Sequence, residues 1–205
     1  MQGYIININR VKDEDLIVTV LTSNSIKTLY RFYGARHSTI NLGYKIDFES
    51  QHSLKSSISQ LRNILHLAEQ WNKDFNRMYI WQAYVRLFYL HLKDIDTLDS
   101  FYFDLFESSS MLWGKQNPKR VAIESYVKLL EYEGRMRDDF ICFACEEAIQ
   151  GRVALLRGFL PIHQSCANMD GYDFLHVREL LENKSTLHME ENDVDRLWKT
   201  ILQGL

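Results

Sequence analysis

The first 67 residues alternate between apolar and polar positions in short runs that are separated by turn-forming residues. Residues 44–49 show the pattern most clearly, because Tyr44, Ile46 and Phe48 share one face while the residues opposite them are charged. A period of two residues is typical of strands with one buried face. The pattern predicts strands at residues 3–11, 16–22, 26–33 and 44–49.

Residues 58–68 fit two patterns. Leu61, Ile64, Leu65 and Ala68 recur at helical spacing, and periodicity alone slightly favours a helix. The alternation of residues 61–67 also fits a strand. With this segment as the fifth strand, five short strands in under 70 residues favour a small closed barrel over an open sheet, because closure removes exposed edges.

Beyond residue 68 the spacing of apolar residues changes to about 3.6, which is typical of amphipathic helices. Asp96 or Asp99 could cap the second helix, Asn117-Pro118 precedes the third, and Gly134 follows it as a terminator. The sequence therefore predicts an α+β fold, with a barrel domain at residues 1–68 and a helical domain at residues 69–205. The predicted helices lie at residues 74–93, 98–113, 119–132, 173–182 and 192–202.

Charge is distributed unevenly along the 205 residues, although the whole chain has a formal net charge of only −3. Residues 1–68 contain eight Lys or Arg and five Asp or Glu, whereas the remainder contains sixteen and twenty-two. Nucleic-acid binding would therefore depend on local positive charge in the barrel. No apolar run approaches the roughly 18 residues of a membrane span, and no signal sequence opens the chain, so we expect a cytoplasmic protein.

The most specific motif in the sequence is a pair of possible metal-binding turns, Cys142-Phe143-Ala144-Cys145 and His163-Gln164-Ser165-Cys166. Two turns of this spacing each aim two soft ligands at one point, which predicts a structural zinc site with ligands Cys142, Cys145, His163 and Cys166. Three alternatives remain open. The cysteines could be small buried hydrophobes, Cys142 and Cys145 could form a redox pair, or His176 could replace His163 as a ligand.

A candidate DNA-binding surface follows the third predicted strand, where Lys27, Leu29, Arg31 and Tyr33 alternate on one face and Ile26, Tyr30 and Phe32 on the other. Cations for phosphates and flat side chains for bases are what single-stranded nucleic acid requires. An ordinary solvated strand face is the alternative. The candidate DNA-binding residues are Arg10, Lys12, Lys27, Arg31, Tyr33, Arg36, His37 and Lys45.

A second basic cluster lies in the otherwise acidic helical region, and it could hold an acidic peptide that ends in a carboxylate. A charged helix face in water is the more common explanation. The sequence contains no phosphate-binding loop, nucleophile elbow or H-E-x-x-H motif, so we expect no catalytic activity. The residues of this cluster are Lys119, Arg120, Lys128, Arg135 and Arg137.

The order of several short segments resembles the RecO recombination mediators of bacteria over nearly the whole chain. Three departures from that family are visible: His163 stands where a cysteine is usual, Glu146 replaces a glycine, and His37 replaces a second basic residue. The segments are Gly3-Tyr4-Ile5-Ile6, Glu14-Asp15-Leu16-Ile17, Leu21-Thr22, Tyr33-Gly34-Ala35-Arg36-His37-Ser38 and Tyr126-Val127-Lys128-Leu129-Leu130-Glu131, which leads through Gly134 to Cys142 and Cys145.

The resemblance implies an oligonucleotide/oligosaccharide-binding (OB) barrel, and it therefore favours the strand interpretation of residues 58–67. It also implies a nucleoid-associated mediator in DNA repair that binds single- and double-stranded DNA, anneals strands and helps RecA to load. The implied protein partners are RecR and the C-terminal tail of single-stranded DNA-binding protein. The alternative is a protein-interaction adaptor whose DNA contact is weak or indirect.

Overall fold

The computed structural model describes residues 1–12, 14–53, 56–95 and 98–205. Asp13, Lys55 and Asp96, which entered the charge count and the capping prediction, lie outside the described residues. By its internal contacts the chain divides into two compact units, Met1–Lys115 and Gln116–Leu205. The predicted division at residue 68 follows the end of the barrel and remains a prediction about domains.

Five strands close into a barrel, as predicted, and the structure adds their order, β1-β2-β3-β5-β4. The β3–β5 pair is parallel, and the other pairs are antiparallel. The helical interpretation of residues 58–68 is wrong, because this segment pairs with two other strands and their hydrogen bonds outweigh its local spacing. The strands are β1 (Gln2–Arg10), β2 (Leu16–Leu21), β3 (Ile26–Arg31), β4 (Lys45–Ser53) and β5 (Ser56–His66).

All five strands contribute apolar side chains to the barrel core, and β2 and β4 do so at alternate positions. Ile46 and Phe48 are at most 1% exposed, which confirms the face predicted for β4. Burying a side chain of this size stabilises the fold by about 1.5–3 kcal/mol. The buried cluster is Ile5, Leu16, Val18, Val20, Leu29, Ile40, Ile46, Phe48 and Leu61.

Two helices complete the first unit, α1 (Phe75–Leu92) and α2 (Phe101–Trp113). The Asp74 carboxylate accepts hydrogen bonds from two backbone amides at the start of α1, and Asp99 accepts one at the start of α2. Trp81 of α1 donates its indole N–H to the Gly43 carbonyl at 2.8 Å. Gly43 has a φ of +82°, and a Cβ there would lie 2.6 Å from the Trp81 ring, so the close approach requires glycine.

The second unit surrounds a small antiparallel sheet with helices, and this sheet is an addition to the predicted fold. Its strands, in the order β7-β6-β8, have two to four residues, which is too short for a periodic pattern to reveal. No helix among the described residues is long and apolar enough to cross a membrane. The elements are α3 (Pro118–Tyr132), β6 (Arg152–Leu155), β7 (Pro161–His163), α4 (Gln164–Ala167), β8 (Tyr172–Asp173), α5 (Phe174–Asn183) and α6 (Glu191–Ile201).

Candidate nucleic-acid interface and metal centre

A groove of about 330 Å³ lies at the end of the barrel where β3 leaves the sheet. Phe32 is 49% exposed and Tyr33 is 60% exposed, so both rings reach solvent at this point. Tyr33 adopts a left-handed conformation with a φ of 51°, which turns the chain out of β3 into a short 3₁₀ turn. The groove residues are Tyr30, Arg31, Phe32, Tyr33, His37, Gln60, Leu61 and Arg62.

Two guanidinium groups line the groove without a carboxylate partner among the described residues. Arg31 donates to the Leu61 carbonyl at 3.1 Å, and its Nη2 lies 3.2 Å from Nε2 of His37. Arg62 donates to the Gln60 side-chain oxygen at 2.5 Å. Burial, and then the neighbouring charge of Arg62, lower the pKa of Arg31. Two cations that disfavour each other's charge would be stabilised by an anion between them.

The turn between β1 and β2 brings further cations to the same end of the barrel. Leu16 pairs with Arg10 on one side and with Arg31 on the other, so both arginines stand in one row across three strands. Lys12 lies in the turn two residues after Arg10, and both side chains are exposed. The Arg36 guanidinium lies 5.3 Å from the centre of the Tyr33 ring, but it also forms an ion pair with Glu14.

The Asp15 carboxylate holds two groove residues in place through hydrogen bonds. It accepts a hydrogen bond from the Tyr30 hydroxyl at 2.5 Å and another from the Tyr33 amide at 2.7 Å. The bond from Tyr30, followed by that from Tyr33, lowers the pKa of Asp15. The same bond raises the pKa of Tyr30. These contacts fix the turn that presents the aromatic rings.

Two of the eight candidate DNA-binding residues lie away from the groove. Lys27 is paired with Val20, four residues before Arg31 along β3. Lys45 is mostly buried and forms an ion pair of 2.7 Å with Glu107, which also accepts a hydrogen bond from Tyr4. The structure therefore gathers Arg10, Lys12, Arg31, Tyr33, Arg36 and His37 at one end of the barrel.

The predicted exposed face of β3 is wrong in its orientation. Leu29 is 2% exposed and belongs to the barrel core, whereas Lys27 and Arg31 are half-buried, so the three residues do not form one exposed face. Arg31 reaches the groove because it is the last residue of the strand. Tyr30 and Phe32, which the alternation placed on the opposite side, line the groove together with it, because the strand ends before Phe32.

Sequence reasoning missed Arg62 and Gln60, since β5 contacts β3 only in the closed barrel. Tyr30 pairs with Gln60 in the parallel ladder, which places Arg62 beside the groove. Only the strand order would have indicated these two residues, because β3 and β5 are neighbours in the barrel but not consecutive in sequence.

The four predicted metal ligands come together in the second unit. The ligand atoms of Cys142, Cys145, His163 and Cys166 all lie within 4.8 Å of one another. Nδ1 of His163 is 3.3 Å from Sγ of Cys145 and 4.0 Å from Sγ of Cys166. A tetrahedron with metal–sulfur distances of 2.3 Å has edges of about 3.8 Å, so the residues fit a four-coordinate metal ion. His176, the alternative ligand, is not part of the group and stacks instead near His188.

Short backbone contacts hold the cysteine turn in place. The Glu146 amide donates to the Cys142 carbonyl at 2.9 Å, and Glu146 has a φ of 60°. A left-handed conformation is where glycine costs least, which accounts for the glycine that the RecO resemblance leads one to expect at this position. His163 ends β7 and precedes α4, so its ring and Cys166 face the turn from the other side.

The environment of Cys142 favours its thiolate. Burial raises its pKa, but hydrogen bonds from the backbone amides of His163, Cys145 and Ala144 outweigh burial and lower the pKa to about 6. Burial, and then hydrogen bonding to the other two thiols, raises the pKa of Cys166 to about 11. Thiolates at this spacing would repel one another, which agrees with the raised pKa of Cys166, and a divalent cation would remove that repulsion.

The second basic cluster is largely neutralised within its own unit. Lys119 pairs with Asp195 at 2.7 Å, and Arg120 pairs with Glu191 at 2.7 Å. Arg135 and Arg137 pair with Glu133 and Asp139, and Lys128 alone is exposed with no ion pair among the described residues. An acidic peptide would have to displace existing carboxylates, so the geometry gives the predicted peptide site no support.

Comparison with known proteins supports the resemblance seen in the sequence. Residues 1–72 match the family model described as RecO N terminal, and this range contains all five barrel strands. No curated protein sequence matches the chain. The matched region, the closed OB-type barrel and the helices that follow agree with one another. The match covers 72 of the 205 residues, so the comparison shows that the barrel region of this chain is similar to the N-terminal part of RecO.

Proposed function

We propose that this protein is a recombination mediator that binds single- and double-stranded DNA through the barrel groove. One observation carries the proposal: Arg31 and Arg62 line the groove without carboxylate partners in the described part of the chain, beside the exposed rings of Phe32 and Tyr33. Phosphates would bind the guanidinium groups, and unpaired bases would stack on the rings. This recognition is tolerant of sequence, because every base has a stacking face.

Strand annealing is compatible with this mode of binding. A groove that holds phosphates and stacks bases leaves the Watson–Crick edges of a single strand free to pair. Arg10 and Lys12 extend the positive surface beyond the groove, where the backbone of a duplex could lie. Assistance to RecA loading, together with RecR and the tail of single-stranded DNA-binding protein, is supported by the RecO match alone.

We also propose that the metal at Cys142, Cys145, His163 and Cys166 is structural zinc. Three sulfur donors and one nitrogen donor suit zinc, and four protein ligands leave no position for a reacting water. Bound zinc would neutralise the thiolates and cross-link the cysteine turn to β7 and α4.

The protein-adaptor alternative makes a different prediction for the same barrel. Arg36 and Lys45 already have carboxylate partners, which reduces the cations available to phosphates. If the barrel is a protein-binding module, RecR should bind the chain while an oligonucleotide does not, or binds with no dependence on the groove.

A salt series of fluorescence anisotropy with an oligo-dT strand tests the proposal. Arg62→Glu should weaken binding about tenfold at 0.1 M salt, and the slope of log K against log salt should fall by about 0.7 for each lost phosphate contact. Lys27→Glu is the matched control, because it makes the same change of charge on the barrel away from the groove, and it should change affinity less than about threefold. Equal effects of the two substitutions would refute the groove, and an annealing assay with and without RecR would then separate mediator from adaptor.

A further inference from the structure

The cysteine turn presents an exposed apolar surface that the metal site does not use. Phe143, between the two cysteines, is 61% exposed, and Ile141 is 45% exposed. They border a groove of about 450 Å³ to which Leu160 and Pro161 also contribute. The Phe143 amide donates to the Pro161 carbonyl at 2.9 Å, which fixes the turn against β7. Arg137, Asp139 and Glu146 also line this groove, and Glu147 follows Glu146 in the chain. We call this surface, together with Glu147, the knuckle face.

The knuckle face is acidic. Residues 137–147 include four acids and one base, and all five are exposed. Arg137 lies 3.6 Å from Asp139, but Asp138, Glu146 and Glu147 have no ion pair among the described residues. Carboxylates elsewhere in this unit, such as Asp195 and Glu191, do have such partners. Negative charge therefore remains available at this surface.

The carboxylates near Phe143 favour a basic peptide over nucleic acid as the partner of this surface. A base could stack on Phe143, but its phosphates would approach carboxylates that have no counterion. Unit charges 4 Å apart in water repel by about 1 kcal/mol, and several such pairs add up. A positively charged peptide has the opposite balance, because its Lys or Arg residues would be attracted to Glu146 and Glu147 while an apolar side chain enters the groove.

We propose that the knuckle face binds a basic, amphipathic segment of a partner protein. One apolar side chain of the segment packs against Phe143 and Ile141, and its cations lie over the unpaired carboxylates. The knuckle face and the barrel groove share no lining residue, and the proposed occupant is opposite in charge to DNA. Loss of DNA binding by the barrel would leave the inference intact.

Binding of synthetic peptides to the full zinc-loaded chain tests the proposal. The probe is a labelled peptide of four Lys-Leu-Lys repeats, compared with four Lys-Ser-Lys repeats and four Glu-Leu-Glu repeats. The first should bind at least about tenfold more tightly than either of the others, because both the apolar anchor and the positive charge are required. Equal binding of the Lys-Ser-Lys peptide would overturn the proposal, since charge alone would then suffice.

Variants locate the binding. Phe143→Ala should weaken binding of the Lys-Leu-Lys peptide about tenfold and Glu146→Lys about fivefold, whereas Phe143→Leu should keep most of the affinity. Leu175→Ala, which removes a side chain that is 61% exposed on α5, and Asp94→Lys are the matched controls and should change affinity less than about twofold. Thermal unfolding at the parent's temperature shows that each variant is folded.

Two outcomes refute the knuckle face as a peptide site. Controls that weaken peptide binding as much as Phe143→Ala would show that the peptide binds by overall charge. An oligo-dT strand whose binding falls by the same factor as that of the peptide in Phe143→Ala would show that the face serves nucleic acid.

Discussion

The barrel groove and the knuckle face expose an aromatic ring to the same extent but differ in charge. Tyr33 is 60% exposed and Phe143 is 61% exposed. Two arginines line the groove with Tyr33, whereas Glu146 lines the groove with Phe143 and the exposed Glu147 follows it in the chain. An exposed ring shows that a surface can bind a flat or apolar group, but the charges around it decide between a phosphate chain and a basic peptide.

The two surfaces are also held in place by different means. The barrel groove rests on a closed sheet with a continuous apolar core. The cysteine turn has an isolated bridge between Ile141 and Ala148, a contact between Phe140 and Phe174 whose ring centres are 4.5 Å apart, and the four clustered ligand atoms. We therefore expect the first to depend on side-chain packing and the second on the metal.

Substitution of the metal ligands should give the largest effect. Cys145 and Cys166 are exposed, whereas Cys142 is buried. If a metal joins them, Cys145→Ser and Cys166→Ser should each destabilise the second unit by several kcal/mol, about as much as Cys142→Ser, because each breaks the same coordination. Thermal unfolding and metal analysis of the purified variants would measure this.

Without a metal, the outcome of the same series would be different. Replacing an exposed thiol by a hydroxyl changes stability by less than about 0.5 kcal/mol, and only the buried Cys142 would be sensitive. A strong chelator should lower the unfolding temperature of the parent and leave that of the ligand variants unchanged. Stable Cys145→Ser and Cys166→Ser proteins would therefore exclude the structural metal.

A core substitution in the barrel should give the next largest effect and spare the metal. Phe48 is 1% exposed within the barrel core, so Phe48→Ala should cost about 3–5 kcal/mol through lost burial and the cavity that remains. Urea unfolding monitored by circular dichroism measures the cost, and metal content should stay at the parent's value. Leu65→Ala, at a position 62% exposed on β5, is the control and should stay within about 0.5 kcal/mol.

Local signals in the sequence predicted the barrel strands and the longer helices of both units, but not the small sheet or α4 of the second unit. The alternation predicted a buried face at Ile46 and Phe48, and both side chains are buried in the structure. The Asn-Pro pair predicted the start of α3, where the Asn117 side-chain oxygen accepts a hydrogen bond from the Lys119 amide. The metal ligands were also predictable, because a C-x2-C turn carries its geometry within four residues. These features depend on neighbours in the chain.

The barrel groove could not be predicted in full, because it depends on contacts between distant segments. Arg62 reaches Arg31 only through the parallel pairing of β5 with β3, and Lys45 is removed from the surface by Glu107, 62 residues away. The orientation of Leu29 followed from closure of the barrel, which buries the inner face of every strand. Alternation identifies two faces, but only the tertiary fold decides which face is inside.

The smallest expected effect concerns the carboxylate beneath the barrel groove. The hydrogen bond from Tyr30, and then that from Tyr33, lower the pKa of Asp15 in the folded protein. The ionised form is therefore favoured by folding, and this contribution is complete above the ordinary aspartate pKa of about 3.9 and is lost as the pH falls through the lowered value. Asp15→Asn should reduce stability at pH 6, and the difference from the parent should shrink on acidification towards pH 2.5.

Urea midpoints measured for both proteins between pH 6 and pH 2.5 would test this, with Asp94→Asn, at an exposed position outside the barrel, as the control. A difference between parent and Asp15→Asn that stays constant across this range would mean that the hydrogen bonds do not distinguish the ionised carboxylate from the neutral amide. The same variant also distinguishes the barrel groove from the knuckle face in binding measurements. Asp15 fixes the turn that carries Tyr33, so Asp15→Asn should weaken oligo-dT binding slightly and leave binding of the Lys-Leu-Lys peptide at the knuckle face unchanged.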